Sequence, residues 1–299
     1  MIRHRSLVLP VALGLGIVLH TFCGWAAPSV PYIIFSILML NLTAVNLTSL
    51  RIKAIDLWIA AFQVAASVGV YFVARALLHD EVLSQGLMVA ILCPVAASVV
   101  VISCMLGADR KTVTGYTIFG NLVTALAAPV IFTFIGQSEL PFWTSCLTIF
   151  KHTASILVLP CLVTLLLQRF WPKANDAIAS RRHWAFYLWG VALFLTMGQT
   201  VNFLIARNEA KLSAILVLAA GALVICAVQF AAGKAIGRRY GDIVAGGQLT
   251  GQKNSAYGIW MANTYLDPMS SVLMAFYSIF QNLYNSWQLW QKQKRESKG

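Results

Sequence analysis

The sequence predicts an all-α polytopic membrane protein of ten transmembrane helices, arranged as two inverted five-helix repeats. Three observations carry that prediction. Of 299 residues, 59% are hydrophobic and only 11% charged, against roughly 25% charged in a soluble domain, and the mean hydropathy is +0.74. Apolar runs of about 20 residues, the length that crosses a hydrocarbon core, recur along the chain with short polar breaks. The cations, which outnumber the acids 22 to 10, sort onto alternate breaks. A water-soluble enzyme is excluded, and so is a nucleic-acid partner, because so apolar a chain has no polar domain on which to mount a basic binding face.

The runs are taken in order. Residues 7–25 follow Met1-Ile2-Arg3-His4-Arg5 and read as an uncleaved first helix rather than a secretory signal, since the next run, 30–50, begins almost at once. The third and fourth runs are 57–77 and 82–106, the fifth 113–135 and the sixth 142–168. Pro94, Pro129 and Pro160 lie within the last three, where a missing backbone bond breaks or tilts a span. A polar link, 169–183, precedes the seventh and eighth runs, 184–206 and 212–233. The ninth, 243–265, is rich in glycine, and the tenth is 269–290.

Charge tests this count. Arg3, Arg5, Arg51, Lys53, Arg110, Lys111, Arg169, Lys173, Arg181, Arg182, Lys234, Arg238, Arg239, Lys292, Lys294, Arg295 and Lys298 fall on the side of the N-terminus. The opposite loops hold only Arg75, Arg207 and Lys211. Cytoplasmic loops carry the excess of Lys and Arg, so both termini are expected in the cytoplasm of a plasma (inner) membrane protein with an even number of spans. Ten spans divide into residues 1–137 and 138–299, and an odd number per half inverts the second repeat against the first. The boundary near Ser138 follows from counting alone.

Polar groups at membrane depth are expensive and mark function. Gln63 lies in the third run, and Cys93-Pro94-Val95-Ala96-Ala97-Ser98 in the fourth. Thr114, Thr117, Asn121 and Thr124 lie in the fifth, and Gln281, Asn282 and Asn285 in the tenth. The stretch from Gly246 to Gly258 is the most polar and reads as a broken helix. Within it Lys253 is the sharpest signal, since a central lysine costs about 2.5–3.5 kcal/mol even on the lenient insertion scale. Lys151-His152 reads as interfacial. The six cysteines stand singly in apolar runs, without CxxC or His at metal-ligand spacing, so no disulfide framework, metal or other cofactor is expected. HExxH, GxSxG and paired intramembrane carboxylates are all missing, which argues against an intramembrane enzyme.

Two windows resemble the bile acid:sodium symporter family. Leu92-Cys93-Pro94 through Ala128-Pro129-Val130-Ile131-Phe132 looks like its fourth and fifth helices. Gly251 to Ser255 and Tyr277-Ser278-Ile279-Phe280-Gln281-Asn282 look like its ninth and tenth, and Gln63 takes the place of a third-helix glutamine. The resemblance implies an alternating-access carrier of organic anions, with helices four and nine broken and crossing at the substrate site. It also implies a core bundle (three, four, five, eight, nine, ten) that moves against a panel (one, two, six, seven).

The departures are as informative. Where the family builds its sodium sites from a Ser-Asn pair, hydroxyls, a glutamate and a glutamine, this chain aligns Val99-Val100, Val113 with Thr117, Leu249 and Lys253. Without a carboxylate these positions cannot offset the dehydration of sodium. Sodium dependence is therefore not expected. Lys253 would supply the positive charge covalently, bonded by Gln63 and the carbonyls of the broken helix with Thr117 nearby, and a proton, uniport or anion exchange would replace the sodium gradient. Ser98, Asn121, Asn254, Gln281 and Asn282 are the expected substrate-facing groups. Two alternatives remain: an arsenite-type metalloid exporter using Cys93, and a non-transporting sensor derived from a carrier.

Overall fold

The computed structural model describes residues 11–12, 14–47, 50–96, 98–136, 141–207 and 211–296. Arg3, Arg5 and Lys298, and the expected repeat boundary between 137 and 138, lie outside the described residues. Among those described, every regular element is a helix. In chain order they are α1 (His20–Ala26), α2 (Val30–Leu42), α3 (Ala54–Leu78), α4 (Glu81–Leu92), α5 (Val99–Leu106), α6 (Arg110–Ile135) and α7 (Phe142–Leu157). There follow α8 (Leu159–Phe170), α9 (Pro172–Ala179), α10 (Trp184–Arg207), α11 (Leu212–Arg239), α12 (Ile243–Gly251), α13 (Ser255–Tyr265) and α14 (Ser271–Glu296).

Among the described residues five segments are long and apolar enough to cross a membrane: His20–Leu42, Ala54–Leu78, Arg110–Ile135, Trp184–Asn202 and Leu212–Arg239. The α7–α8 pair, bent by 41° ahead of Pro160, makes a sixth. The protein is a multi-pass helical membrane protein. The other apolar windows hold helices that fall short for identifiable reasons. α4, α5, α12 and α13 have 12, 8, 9 and 11 residues, under the roughly 20 that a span needs. They are the halves of the two windows expected to break. α14 has 26 residues but carries Gln281, Asn282, Asn285 and Gln288.

One boundary differs from expectation. The first two windows were to separate between residues 25 and 30, yet the backbone stays helical from His20 to Leu42 through a 3-10 turn, Ala27–Ser29. Pro28 and Pro31 stand in the first turn of the 3-10 segment and of α2, where no N–H donor is needed. Pro129 likewise leaves α6 unbroken.

The short helices lie inside the bundle. α4 packs on α3, α11 and α14, and α12 on α11, α5, α3 and α6. α11 and α12 approach closely where Gly233 and Gly237 face Gly246. A Cβ at Gly246 would collide with the Gly233 carbonyl and the backbone of Gly237, so this crossing requires glycine.

Candidate functional site

α4 stops at Leu92 and α12 at Gly251, and the residues beyond each run extended across one another. The Ala96 N–H donates to the Gln252 carbonyl and the Asn254 N–H to the Pro94 carbonyl, both at 2.9 Å. Val95 and Lys253 form an antiparallel bridge, and the Cys93 thiol donates to the Asn254 carbonyl at 3.0 Å. Non-helical backbone at membrane depth must be paired within the protein; here each break supplies the partners of the other.

The end of α4 leaves its last carbonyls without helical donors, and side chains from four other helices or their breaks reach them in succession. Gln229 Nε2 donates to Ala90 O at 3.1 Å, Lys253 Nζ to Ile91 O at 2.7 Å, and Gln63 Nε2 to Leu92 O and Cys93 O at 2.6 and 3.2 Å. The Thr124 hydroxyl adds a second bond to Leu92 O at 3.3 Å. Lys253 is 1% exposed, and among the described residues no carboxylate pairs with it. A helix C-terminus carries a partial negative charge of about one half, and the ammonium sits against it. The backbone of Lys253 is fixed by Gln281, whose Oε1 accepts from Lys253 N at 2.7 Å while Nε2 donates to Lys253 O and Ser255 Oγ at 3.0 and 2.9 Å.

Several expected roles change in detail. Gln63 does not bond the ammonium, because its Oε1 already accepts from the Tyr116 hydroxyl at 2.7 Å. Its NH₂ is a donor and faces the carbonyls, so Gln63 and Lys253 meet on successive peptide groups. Thr117 donates to Val113 O in its own helix at 2.8 Å. Gln281 has both amide atoms engaged by the crossing loop and is buried. Asn282 is half-buried and donates to Ser278 O. Asn121 is buried, with Oδ1 unpartnered among the described residues.

Two expected residues keep an open aspect. Ser98 is exposed, precedes α5 without a side-chain cap and accepts from Gln252 Nε2 at 3.0 Å. Asn254 is half-buried and caps α13, accepting from Tyr257 N at 3.3 Å. Both stand at the N-terminus of a half-helix, the end that favours anions. A small apolar pocket of about 10 Å³ adjoins the crossing, lined by Leu92, Cys93, Thr124, Phe132, Tyr257 and Gly258 among others.

Gln229, Tyr116, Tyr277 and Gln252 belong to the site but were not singled out from the sequence. Tyr277 donates to the Gly251 carbonyl at 2.8 Å and accepts from Gln229 at 2.9 Å. A lone amide in the apolar eighth run was the available signal for Gln229, and the resemblance window that begins at Tyr277 was the signal for that residue; Tyr116 offered none, since a mid-span Tyr reads equally as packing.

The family model described as Sodium Bile acid symporter family matches residues 58–209, half of the chain, from α3 with Gln63 through the first break to the seventh window. The chain belongs to the sodium bile acid symporter family. No curated protein matches it. Family membership makes the protein a secondary transporter of organic anions. Lys253 and the second break lie beyond the matched residues.

Proposed function

We propose that the protein carries an organic anion by alternating access without sodium, Lys253 holding the positive charge that an ion supplies in its relatives. The observation that carries this reading is the Lys253 ammonium, fully buried, without a carboxylate, donating to the Ile91 carbonyl at the end of α4. Because the ammonium is sealed against backbone, it acts as the fixed cation of the crossing and not as a substrate ligand. Ser98 and Asn254, at the two half-helix N-termini, are the substrate contacts of this reading, with the anion between them. Gln63, Gln281 and Asn121 support the crossing, Thr117 lines the helix beside it, and Asn282 faces the half-buried side of α14.

Inverted repeats of residues 1–137 and 138–299 are part of the proposal, and mirrored hydrogen bonds support them. Asp80 caps α4 through Leu83 N, as Asp242 caps α12 through Ala245 N. The Asp109 N–H donates to the Asp242 carboxylate, as the Asp267 N–H donates to the Gln85 amide oxygen. Gln63 pairs with Tyr116, as Gln229 pairs with Tyr277. The count of ten spans and the cytoplasmic termini rest on the sorting of cations.

The test is uptake of a panel of labelled organic anions into proteoliposomes, in sodium, in choline and under an imposed pH gradient, for wild type and Lys253→Gln. Equal uptake in sodium and choline by wild type, with at least about a tenfold loss in the variant, is expected. Sodium should not rescue the variant, because Val99, Val100 and Leu249 offer it no side-chain oxygen. A strict sodium requirement in wild type overturns the proposal; acceleration by the pH gradient identifies the proton as the coupling ion.

A further inference from the structure

Between α8 and α10 the chain turns sharply at Trp171, whose backbone is non-helical (φ −136°, ψ 64°), and Pro172 then opens α9. This connector presents Arg169, Lys173, Arg181 and Arg182 on exposed positions, with Phe170, Trp171 and Trp184 exposed beside them at 63%, 63% and 54%. Asp176 is the one acid between residues 169 and 184. In other parts of the protein three cations have carboxylate partners: Lys53 pairs with Asp109, Arg75 with Glu81 and Lys292 with Glu296. Among the described residues none of the four connector cations has such a partner.

The surface is also held rigid. Asn175 is buried and donates to the Thr43 carbonyl at 3.2 Å. Gln168 Nε2 donates to Val45 O at 2.6 Å, and its Oε1 accepts from Leu47 N at 3.1 Å. The connector is thereby tied to the segment after α2, and its cations and aromatic rings are displayed from a fixed platform. Tryptophan settles at the headgroup level of a bilayer, and clustered Lys and Arg beside it attract anionic headgroups.

We propose that this connector is a binding surface for anionic phospholipid, with Arg169, Lys173, Arg181 and Arg182 contacting headgroup phosphates and Trp171 and Trp184 seated among the glycerol and upper acyl groups. The surface is independent of the crossing site, so its failure leaves the transport reading untouched. Each cation removed lowers the affinity about fivefold.

Native mass spectrometry of the full-length protein, titrated with phosphatidylglycerol and with phosphatidylcholine, provides the test. Wild type should retain phosphatidylglycerol selectively, and Arg169→Gln/Lys173→Gln/Arg181→Gln/Arg182→Gln should lose it by about a hundredfold or more. A control, Arg110→Gln/Lys111→Gln/Arg238→Gln/Arg239→Gln, should keep at least one selectively bound lipid. Should the fourfold variant misfold, Arg182→Gln alone and the salt dependence of the wild-type adduct give the same answer, since headgroup contacts weaken as ionic strength rises. Equal retention of both lipids, equal loss in the control, or displacement by millimolar inorganic phosphate overturns the proposal.

Discussion

The two helix breaks solve one problem with different chemistry. At the first, four successive carbonyls from Ala90 to Cys93 are met by Gln229, Lys253 and Gln63, and one of those donors is a buried ammonium. At the second, the Gly251 carbonyl is met by the neutral Tyr277 hydroxyl, and the loop is held by the Gln281 amide. The second break therefore gives its charge to the first. A carrier that needs one positive charge at its crossing can place it on either strand, and here the covalent charge comes from the ninth window and is spent on the helix end of the fourth.

The largest contrast should come from removing one neutral donor at each break. Gln63→Leu strips Cys93 O of its side-chain donor and Tyr116 of its acceptor, leaving Leu92 O only Thr124. At about 1–3 kcal/mol for each buried group left unpaired, the loss is about 3 kcal/mol. Tyr277→Phe strips Gly251 O of its donor and one Gln229 N–H of its acceptor, while Gln229 keeps its bond to Ala90, and should cost about 2 kcal/mol. Unfolding of the two variants in the same detergent measures the difference; equal losses would mean that the breaks are supported alike.

Lys253→Met sharpens the comparison in the opposite direction. The substitution leaves Ile91 O without its donor but removes a charge that has no counter-ion, and replacing buried charge by an apolar chain of similar volume is often neutral or stabilising. Unfolding is expected to be unchanged or shifted upward by about 1–2 kcal/mol, while uptake is lost. A fall of several kcal/mol would make the lysine a strut and remove the reason to assign it to transport.

The breaks were legible in the sequence because glycines and clustered polar groups cannot continue a buried apolar helix, and Lys253 was legible because its insertion cost demands a cause. The direction of Gln63 was not. Which end of an amide faces a carbonyl depends on Tyr116, 53 residues away, and that pairing leaves no local trace. The helical join at residues 27–29 was equally hidden, since two prolines after an apolar run suit a loop as well as the first turn of a continuing helix. For Gln281 the residue type was legible and its partners were not, because its bonds run to Lys253 and Ser255, 28 and 26 residues away.

The smallest effect lies at the ends of the half-helices and tests the mirrored caps. Asp109 accepts from Thr112, Lys53 and the Lys111 and Thr112 amides, and these bonds hold its carboxyl well below the usual carboxylate range. A depressed carboxylate stabilises the fold fully above its unfolded value of about 3.9 and loses that contribution as pH falls through the folded value. At the mirrored position the Asp267 N–H donates to the Gln85 amide oxygen, where the Asp109 N–H donates to the Asp242 carboxylate. Asp109→Asn should lower the unfolding temperature modestly at pH 7, modestly because the Lys53–Asp109 pair is about half exposed, at 48% and 47%. The gap between variant and wild type should begin to narrow as pH falls below about 4 and close only as pH passes through the folded value. A gap that persists unchanged at pH 3 would assign the effect to lost hydrogen-bond geometry instead of charge.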